Sequence, residues 1–362
     1  MSSEQEQLGN IREEIDAIDQ QLLALISERA RCAQRVAAIK LQAGETVQFY
    51  RPEREASVLT QMQTRNPGPL SDAEIARLFR EIMSTCLALE SPLQVAYLGP
   101  PGTYSQEALF KQFGGAVVPQ QVSSIDLVFR EVEKQKVAYG VVPLENTTEG
   151  SVNITLDLLQ ETPLQICGEI DLPIRHNLLS REASLASIKV VIAHQQALAQ
   201  CRIWLDTHLP TAERTAVSSN GEAAKRASTE PHTAAIASQA AADLYQLPVL
   251  EAQIEDYVHN TTRFIVLGQE SVPPSGRDKT SLLVSTHNEA GALEKMLAPF
   301  SRHQISLTRI ESRPSKRSHW DYVFFVVVEG HQTNPALADA LRELEQVSLA
   351  VKILGSYPRA VF

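Results

Sequence analysis

Residues 8–41 read LGNIREEIDAIDQQLLALISERARCAQRVAAIKL, and this stretch decides the architecture of the N-terminal part of the chain. Leu8, Ile11, Ile15, Ile18, Leu22, Leu25, Cys32, Val36 and Ile39 recur in alternating steps of three and four, the spacing of one packed helix face. Arg29 fills the one gap in that series. Lys40 follows it by about three turns and shares nearly the same face, whereas Arg12 lies roughly 260° around the helix. One ligand can meet Arg29 and Lys40, but hardly Arg12 of the same chain. The helix would be about 50 Å long, more than the width of a domain of about 90 residues, so its stripe must be buried against a second copy. In such a pair Arg12 of one chain reaches the pocket of the other. The competing reading is that these cation heads reach water from ordinary coiled-coil positions.

Two shorter helices follow, separated by the turn Asn66-Pro67-Gly68-Pro69. The first carries Arg51, Arg54 and Glu55, then Val58, Leu59 and Met62. The next opens with a capping box, Ser71 to Glu74, and is expected to bury Ile75, Leu78, Phe79, Ile82, Cys86 and Leu89. Glu90, four residues after Cys86, continues that face; taken alone it also reads as a solvated helix end.

Over about residues 5 to 91 these residues resemble the all-helical, intertwined-dimer chorismate mutase domain, on the spaced cations and the pair Arg54-Glu55. The implied reaction, chorismate rearranging within itself to prephenate, needs no nucleophile, metal or cofactor. Catalysis consists of holding a dicarboxylate in its folded shape and stabilising charge on the breaking ether oxygen. The resemblance implies that Arg29 and the second copy's Arg12 hold carboxylates, Lys40 reaches the ether oxygen, Arg54 assists and Glu55 takes the ring hydroxyl. Three positions depart from the enterobacterial pattern: Arg51 stands where aspartate is common, Cys86 where serine is, and Glu90 where a glutamine donates to the ether oxygen. A carboxyl group can make that donation only when protonated.

A length of 362 residues suits two or three domains. With 43% hydrophobic and 21% charged residues the composition is globular, and no apolar run is long enough to span a bilayer. The start Met1-Ser2-Ser3-Glu4 lacks the basic and apolar regions of a signal peptide, so a cytoplasmic location is expected. Cys32, Cys86, Cys167 and Cys201 have no paired spacing, which favours reduced thiols over disulfides or zinc ligands. A formal charge of -10 argues against a nucleic-acid partner.

After Glu90-Ser91-Pro92 the rhythm changes. Short apolar runs (Gln94 to Leu98, Val137 to Val142, Ile188 to Ala193, Ala234 to Ala237, Phe264 to Leu267) alternate with helical stretches, an α/β pattern. Gly99-Pro100-Pro101-Gly102-Thr103-Tyr104-Ser105 follows the first strand and precedes an amphipathic helix from Gln106, a natural anion seat. Pro143-Leu144-Glu145-Asn146-Thr147-Thr148-Glu149-Gly150-Ser151-Val152 concentrates polar groups at another strand's end, where α/β proteins bind ligands. Further on come His194 with Gln200, then Thr261-Thr262-Arg263-Phe264.

In that order these motifs resemble prephenate dehydratase over about residues 93 to 270. The resemblance implies two α/β lobes hinged like a periplasmic binding protein with substrate in the cleft. The first lobe would include the returning segment near Thr262, and the second roughly residues 175 to 255. Prephenate must lose carbon dioxide and a ring hydroxyl together to become phenylpyruvate, so the enzyme binds two carboxylates and helps hydroxide leave as water. By resemblance Thr262 donates to the leaving oxygen, and Glu145, Asn146, Thr147 and Gln200 orient the substrate. Arg263 reads either as a carboxylate partner or as a structural ion pair. His194 reads either as a general acid or as a satisfied, half-buried histidine.

Residues 270–278 read as a linker. Beyond it the order strand, helix, strand, strand, helix, strand is a ferredoxin-like α+β unit. Gly291-Ala292-Leu293 at a helix start and Glu311-Ser312-Arg313-Pro314 at a strand end resemble the ACT regulatory domain of dehydratases that sense phenylalanine. Asn288 reads equally as a contact to the amino acid or as a helix cap. The chain is thus identified as a multidomain member of the bifunctional P-protein family, gammaproteobacterial type, divided at 1–91, 93–270 and 279–362. Expected partners are chorismate, prephenate, L-phenylalanine as inhibitor and at least one further copy of the chain, with no metal, cofactor, nucleic acid or membrane. The rival reading is a nonenzymatic amino-acid sensor whose helices serve only dimerisation; such a sensor would not need Thr262, nor Arg29 and Lys40 at a pocket.

Overall fold

A computed structural model describes residues 3–42, 50–286, 289–314 and 322–361. The chain opens with three helices, α1 (Ser3–Gln42), α2 (Pro52–Thr64) and α3 (Asp72–Ala88). Pro52 occupies the first turn of α2, where its missing N–H is no loss. The capping box of α3 is formed: Glu74 N donates to Ser71 Oγ at 3.3 Å and Ser71 N to Glu74 Oε2 at 3.0 Å. The helix ends at Ala88, so Glu90 sits in the turn that follows, its N–H on Leu87 O.

The apolar stripe of α1 is open in one protomer: Leu8, Ile11, Ile15, Ile18, Leu22 and Leu25 are each 47–62% exposed. The buried face of α3 also differs from the expected one. Cys86 is buried as expected, but its buried companions are Ala76, Arg80 and Ser84, whereas Leu78 and Leu89 are exposed. The reason is local: the small and polar side of α3 is pressed against residues 111–116. Arg80 donates to Lys111 O, Ala116 N donates to Ser84 Oγ, and a Cβ on Gly114 would stand 2.6 Å from that of Ser84. The apolar side is left for another surface.

The first lobe comprises β1 (Gln94–Leu98), α4 (Tyr104–Phe113), β2 (Val118–Val122), α5 (Ile125–Glu133), β3 (Tyr139–Asn146), β4 (Gly150–Ser151), α6 (Asn153–Glu161) and β5 (Gln165–Pro173). The second comprises β6 (Asn177–Ser180), β7 (Val190–His194), α7 (Gln195–Gln200), α8 (Arg202–His208), β8 (Glu213–Val217), α9 (Asn220–Ala227), β9 (Thr233–Ala237), α10 (Gln239–Tyr245) and β10 (Val249–Glu251), in sheet order β10-β6-β9-β7-β8. The chain then returns to the first lobe as β11 (Thr261–Gly268), between β3 and β5 and antiparallel to both, completing the order β2-β1-β3-β11-β5. This is the two-lobed arrangement that the family resemblance implied.

The segment expected to be a linker is ordered: Val272 is buried, and the Asp278 carboxylate accepts from Ser275 N, Ser275 Oγ and Gly276 N. It leads into β12 (Asp278–Ser285), α11 (Ala292–Arg302), β13 (Leu307–Pro314), β14 (Tyr322–Glu329), α12 (Pro335–Val347) and β15 (Ala350–Pro358), an antiparallel sheet of order β13-β14-β12-β15. One face packs on its own two helices through Met296, Phe300, Leu337 and Leu344. Val323, Phe325, Leu354 and Tyr357 instead join Ile265, Leu267, Val142 and Ile166 of the first lobe. The opposite face of that lobe's sheet, with Val141, Ile170, Phe264 and Val266, carries α4 and Tyr50 from the chain entering α2. The first lobe is therefore clasped between the N-terminal helices and the C-terminal unit. No helix among the described residues is long and apolar enough to cross a membrane.

Candidate active sites

A cleft of about 890 Å³ opens between the lobes, lined by the C-terminal ends of β1, β2 and β3 and the first turns of α4, α7 and α9. Strand ends of open α/β sheets are where ligands bind. Asn146 and Thr262 are directly paired across β3 and β11 and both line this cleft. The orientation of the Asn146 carboxamide is fixed by its partners. Its Oδ1 accepts from the backbone N–H of Thr148 (2.9 Å) and Glu149 (3.1 Å) and from the Thr148 hydroxyl (2.6 Å). Nδ2 therefore donates, to Asn260 Oδ1 and to Thr262 Oγ1, both at 2.8 Å. Because the Thr262 oxygen is an acceptor here, its own proton is left to donate into the cleft.

Gln200 extends the network. Its Nε2 donates to Thr148 Oγ1, and its Oε1 accepts from Asn260 Nδ2 at 3.0 Å and lies 2.8 Å from His176 Nε2. Burial pulls the His176 pKa below the ordinary histidine range, against the opposing effects of Gln200 and Glu255. The ring is thus neutral with its proton on Nε2, facing Gln200, and Nδ1 lies 2.9 Å from the Tyr104 hydroxyl, which donates to Arg175 O at 2.7 Å. Thr147 is turned elsewhere: its hydroxyl donates to His259 O and accepts from Thr261 N, fastening β3 to β11. His194 is exposed at the cleft and caps α7, Nδ1 accepting from Gln196 N, so it is not the half-buried histidine expected.

Arg263 follows Thr262 but points the other way, as adjacent strand residues do. It pairs with Asp171 at 2.8 Å and Glu145 at 2.6 Å, with Glu169 at 3.9 Å. Burial disfavours its charge, but these three carboxylates outweigh it and raise its pKa further. Of the two readings of Arg263, the structural ion pair is the one formed. Glu145 is clamped on both oxygens, by Arg263 on one and by Arg309 of β13 on the other at 2.9 Å. Arg309 also pairs with Glu311 at 2.5 Å and bonds Ser151, which bonds Glu311 in turn. Lys279 of β12 closes the far end on Glu169 at 2.7 Å. An alternating ladder of charge thus joins the C-terminal unit to the strand that carries Thr262.

In the helical region, Lys40 and Arg29 act electrostatically on Glu90. Burial raises the Glu90 carboxyl above the ordinary range, against the pull of those two cations. Cys86 is buried one turn earlier on α3. Arg51 and Arg54 are exposed, as is Arg12, which stands about 26 Å along α1 from Arg29. Glu55 is placed otherwise than the resemblance implied: Arg80 holds its carboxylate at 3.0 Å, beside a small cavity shared with Glu169 and Arg359.

Gly291 caps α11 with a left-handed φ of +82°, ahead of Ala292 and the exposed Leu293. Glu311, Ser312, Arg313 and Pro314 end the edge strand β13. Ser312 and Pro314 face outward, while Arg313 pairs with Asp157 and Asn153 of α6. Asn288 lies outside the described residues.

Sequence reasoning missed Asn260, Arg80, Arg309 and His176. Thr148 and Tyr104 stood inside quoted motifs without being singled out. His176 sits between two apolar strands in Arg175-His176-Asn177, with no spacing to mark it.

Comparison with known proteins gives these groups their names. The family model of prephenate dehydratase matches residues 95–272, that of chorismate mutase type II residues 11–91, and that of the ACT domain residues 280–346. The bifunctional chorismate mutase/prephenate dehydratase of Pseudomonas aeruginosa is 53% identical over 363 residues, covering 99% of this chain and all of that one. The protein of the same description from Escherichia coli K12 is 34% identical over 383 residues, covering 99% and 97%. Among solved structures, the prephenate dehydratase of Arthrobacter aurescens in complex with L-Phe matches with a TM-score of 0.69 and 34% identity, over 74% of this chain and 90% of that one. With the three family models in this order and such identity along nearly the full length of both chains, the chain belongs to the family of bifunctional chorismate mutase/prephenate dehydratases.

Proposed function

We propose that the N-terminal helices rearrange chorismate to prephenate, that the interlobe cleft converts prephenate to phenylpyruvate, and that L-phenylalanine inhibits through the ACT domain. We assign these roles to residues 1–91, 93–270 and 279–362. The observation that carries the dehydratase reading is the Thr262 hydroxyl, whose oxygen accepts from Asn146 so that its proton faces the cleft. As the carboxylate carbon leaves as carbon dioxide, its bonding electrons enter the ring and expel the hydroxyl, which departs as water. A donor fixed on that oxygen stabilises the charge only as it develops. Asn146 and Gln200 orient the donor through the buried network, with Thr147 fastening the strands beneath it.

The mutase reading is supported by the approach of Glu90 to Lys40 and Arg29 and by the uncovered stripe of α1. A second copy laid on that stripe and on the exposed Leu78 and Leu89 buries both and brings Arg12 of the partner subunit to Arg29, with Arg54 and Arg51 at the rim. Cys86 would line this pocket, while Glu55 stays paired with Arg80 outside it. Sedimentation of the intact protein at the mass of one chain would overturn this arrangement. We place the enzyme in the cytoplasm.

Regulation is supported by the charge ladder, because Glu311 and Arg313 of the motif assigned to phenylalanine, with Ser312 and Pro314 between and beyond them, hold the ACT sheet on the dehydratase lobe through Ser151 and Asp157. Binding of the amino acid at Gly291, Ala292, Leu293 and Asn288 and at this strand end changes what Glu311 offers Arg309, and Arg309 changes what holds Glu145.

Three measurements test this. Purified protein given chorismate should form phenylpyruvate, while Thr262→Ala should accumulate prephenate with dehydratase turnover lowered about 10²- to 10³-fold, as for loss of one preorganised donor; Thr262→Ser should restore most of it. Loss of both reactions in a folded Thr262→Ala protein would contradict separate sites. Mutase turnover should fall as pH rises through the elevated Glu90 pKa, since only the protonated carboxyl donates. Glu90→Gln donates at every pH and should flatten that limb; an unchanged alkaline fall would assign the titration to another group. Arg309→Gln should keep basal dehydratase activity, because Arg263 still holds Glu145, but forfeit most of a coupling of about 1 to 3 kcal/mol to phenylalanine. Undiminished inhibition in that variant would rule out the ladder as the route.

A further inference from the structure

Prephenate carries two carboxylates, and the arginine beside Thr262 does not meet them. Arg263 is occupied by Asp171, Glu145 and Glu169 on the far face of its strand and contributes nothing to the walls of the cleft. Among the described residues that line the cleft, Lys225 is the single lysine or arginine. It stands on α9 of the second lobe, opposite Thr262 and Asn146 of the first. No carboxylate of the described residues pairs with it. Glu222, the acid on the same wall, is turned back on Ser218, whose N–H and hydroxyl both donate to it.

The neighbouring groups have the same sense. Asn220 Oδ1 accepts from the His194 N–H at 2.9 Å, which leaves its amide Nδ2 as a donor in the cleft wall. The wall is also brought close. A Cβ on Gly221 would stand 2.5 Å from Pro101 O, and Tyr245 bonds the same oxygen, so the first turn of α9 meets the first lobe's glycine-proline loop backbone to backbone. Lys225, four residues after Gly221, follows on the same side of the helix.

We propose that Lys225 is a substrate-binding residue of the dehydratase, contributed by the second lobe, which holds one carboxylate of prephenate by a charge-assisted hydrogen bond while Thr262 addresses the leaving hydroxyl from the first. The assignment rests on the reading of the cleft as the prephenate site. It makes charge recognition a property of lobe closure, since cation and donor lie on different bodies.

Steady-state kinetics of the full-length protein with prephenate decide it. Lys225→Met should raise KM about 10- to 100-fold, the range for losing a hydrogen bond to a charged group, with kcat changed less than about threefold. Lys225→Arg should recover most of the affinity and Lys225→Glu should lose more than Met. The parent KM should rise with ionic strength more steeply than that of the Met variant. Chorismate consumption should be unaltered in all three, which also reports that the chain is folded. A KM within about twofold of the parent in the Met and Glu variants, or a collapse of kcat at unchanged KM, would overturn the proposal. Should the Met variant not fold, the Arg variant and the salt dependence of the parent carry the decision. A parent that does not turn over prephenate at all would instead count against the reading of the cleft.

Discussion

The structure depends on where β11 goes. After the chain has built the whole second lobe it returns as one antiparallel strand between β3 and β5, and the strand's two-residue period does the rest. Thr262 falls on the face that reaches the cleft. Arg263, its neighbour, falls on the face covered by the ACT sheet and is met there by three carboxylates. A single dipeptide therefore divides the domain into a chemical side and a regulatory side. The same insertion ties the lobes together, since the chain crosses between them before β6 and again before β11.

The partition has an energetic logic. A guanidinium within hydrogen-bonding reach of the substrate would be free to bind it in ground and transition states alike, whereas one locked among carboxylates serves as a rivet. Around Glu145 that rivet is shared between catalytic strand and ACT strand. Each charge of such a cluster is shared between two partners, so a change at one partner shifts the pairing of the next, and the cluster favours discrete arrangements over gradual ones. The cleft side shows the complementary economy: neutral amides and a neutral histidine hold Thr262, with donors and acceptors matched from His176 through Gln200 and Thr148 to Asn146.

Much of this was legible in the sequence. The three-and-four spacing of Leu8 to Ile39 gave α1, Ser71 and Glu74 gave the start of α3, and the four motifs in order gave the two lobes with β11 returning to the first. Local signals sufficed for the single elements, each specified by its own periodicity and caps, whereas the two lobes and the return of β11 were implied by the family resemblance of the motifs. What could not be read is what distant segments do to one another. Arg263 was ambiguous because adjacency in sequence to Thr262 suggests shared chemistry, while the pleat separates them. Arg80 gave no sign of being buried, because its partners, Glu55 and Lys111 O, lie 25 and 31 residues away. Lys225 sits in Ala223-Ala224-Lys225-Arg226-Ala227, which reads as an ordinary solvated helix face until a second lobe is placed opposite. On α3 the larger apolar residues were expected inside, but the small ones lie against the first lobe, because close backbone approach at Gly114 leaves no room for bulk.

The position of Tyr50 has a bearing on how the chain is made. Its ring is buried against Phe113 and Tyr139, so the segment entering α2 cannot be seated until most of the first lobe exists. Asn146 and Thr262 are 116 residues apart, which at about 5 to 20 residues per second separates their emergence from the ribosome by roughly 6 to 23 s. During that interval β3 and β5 stand side by side in the chain with the place between them empty, each presenting an unpaired edge. The second lobe, continuous from β6 to β10, can fold meanwhile as a unit. The order of synthesis thus leaves the strand with the catalytic hydroxyl among the last pieces of its sheet to arrive, and the nascent chain is most open to mispairing while it waits.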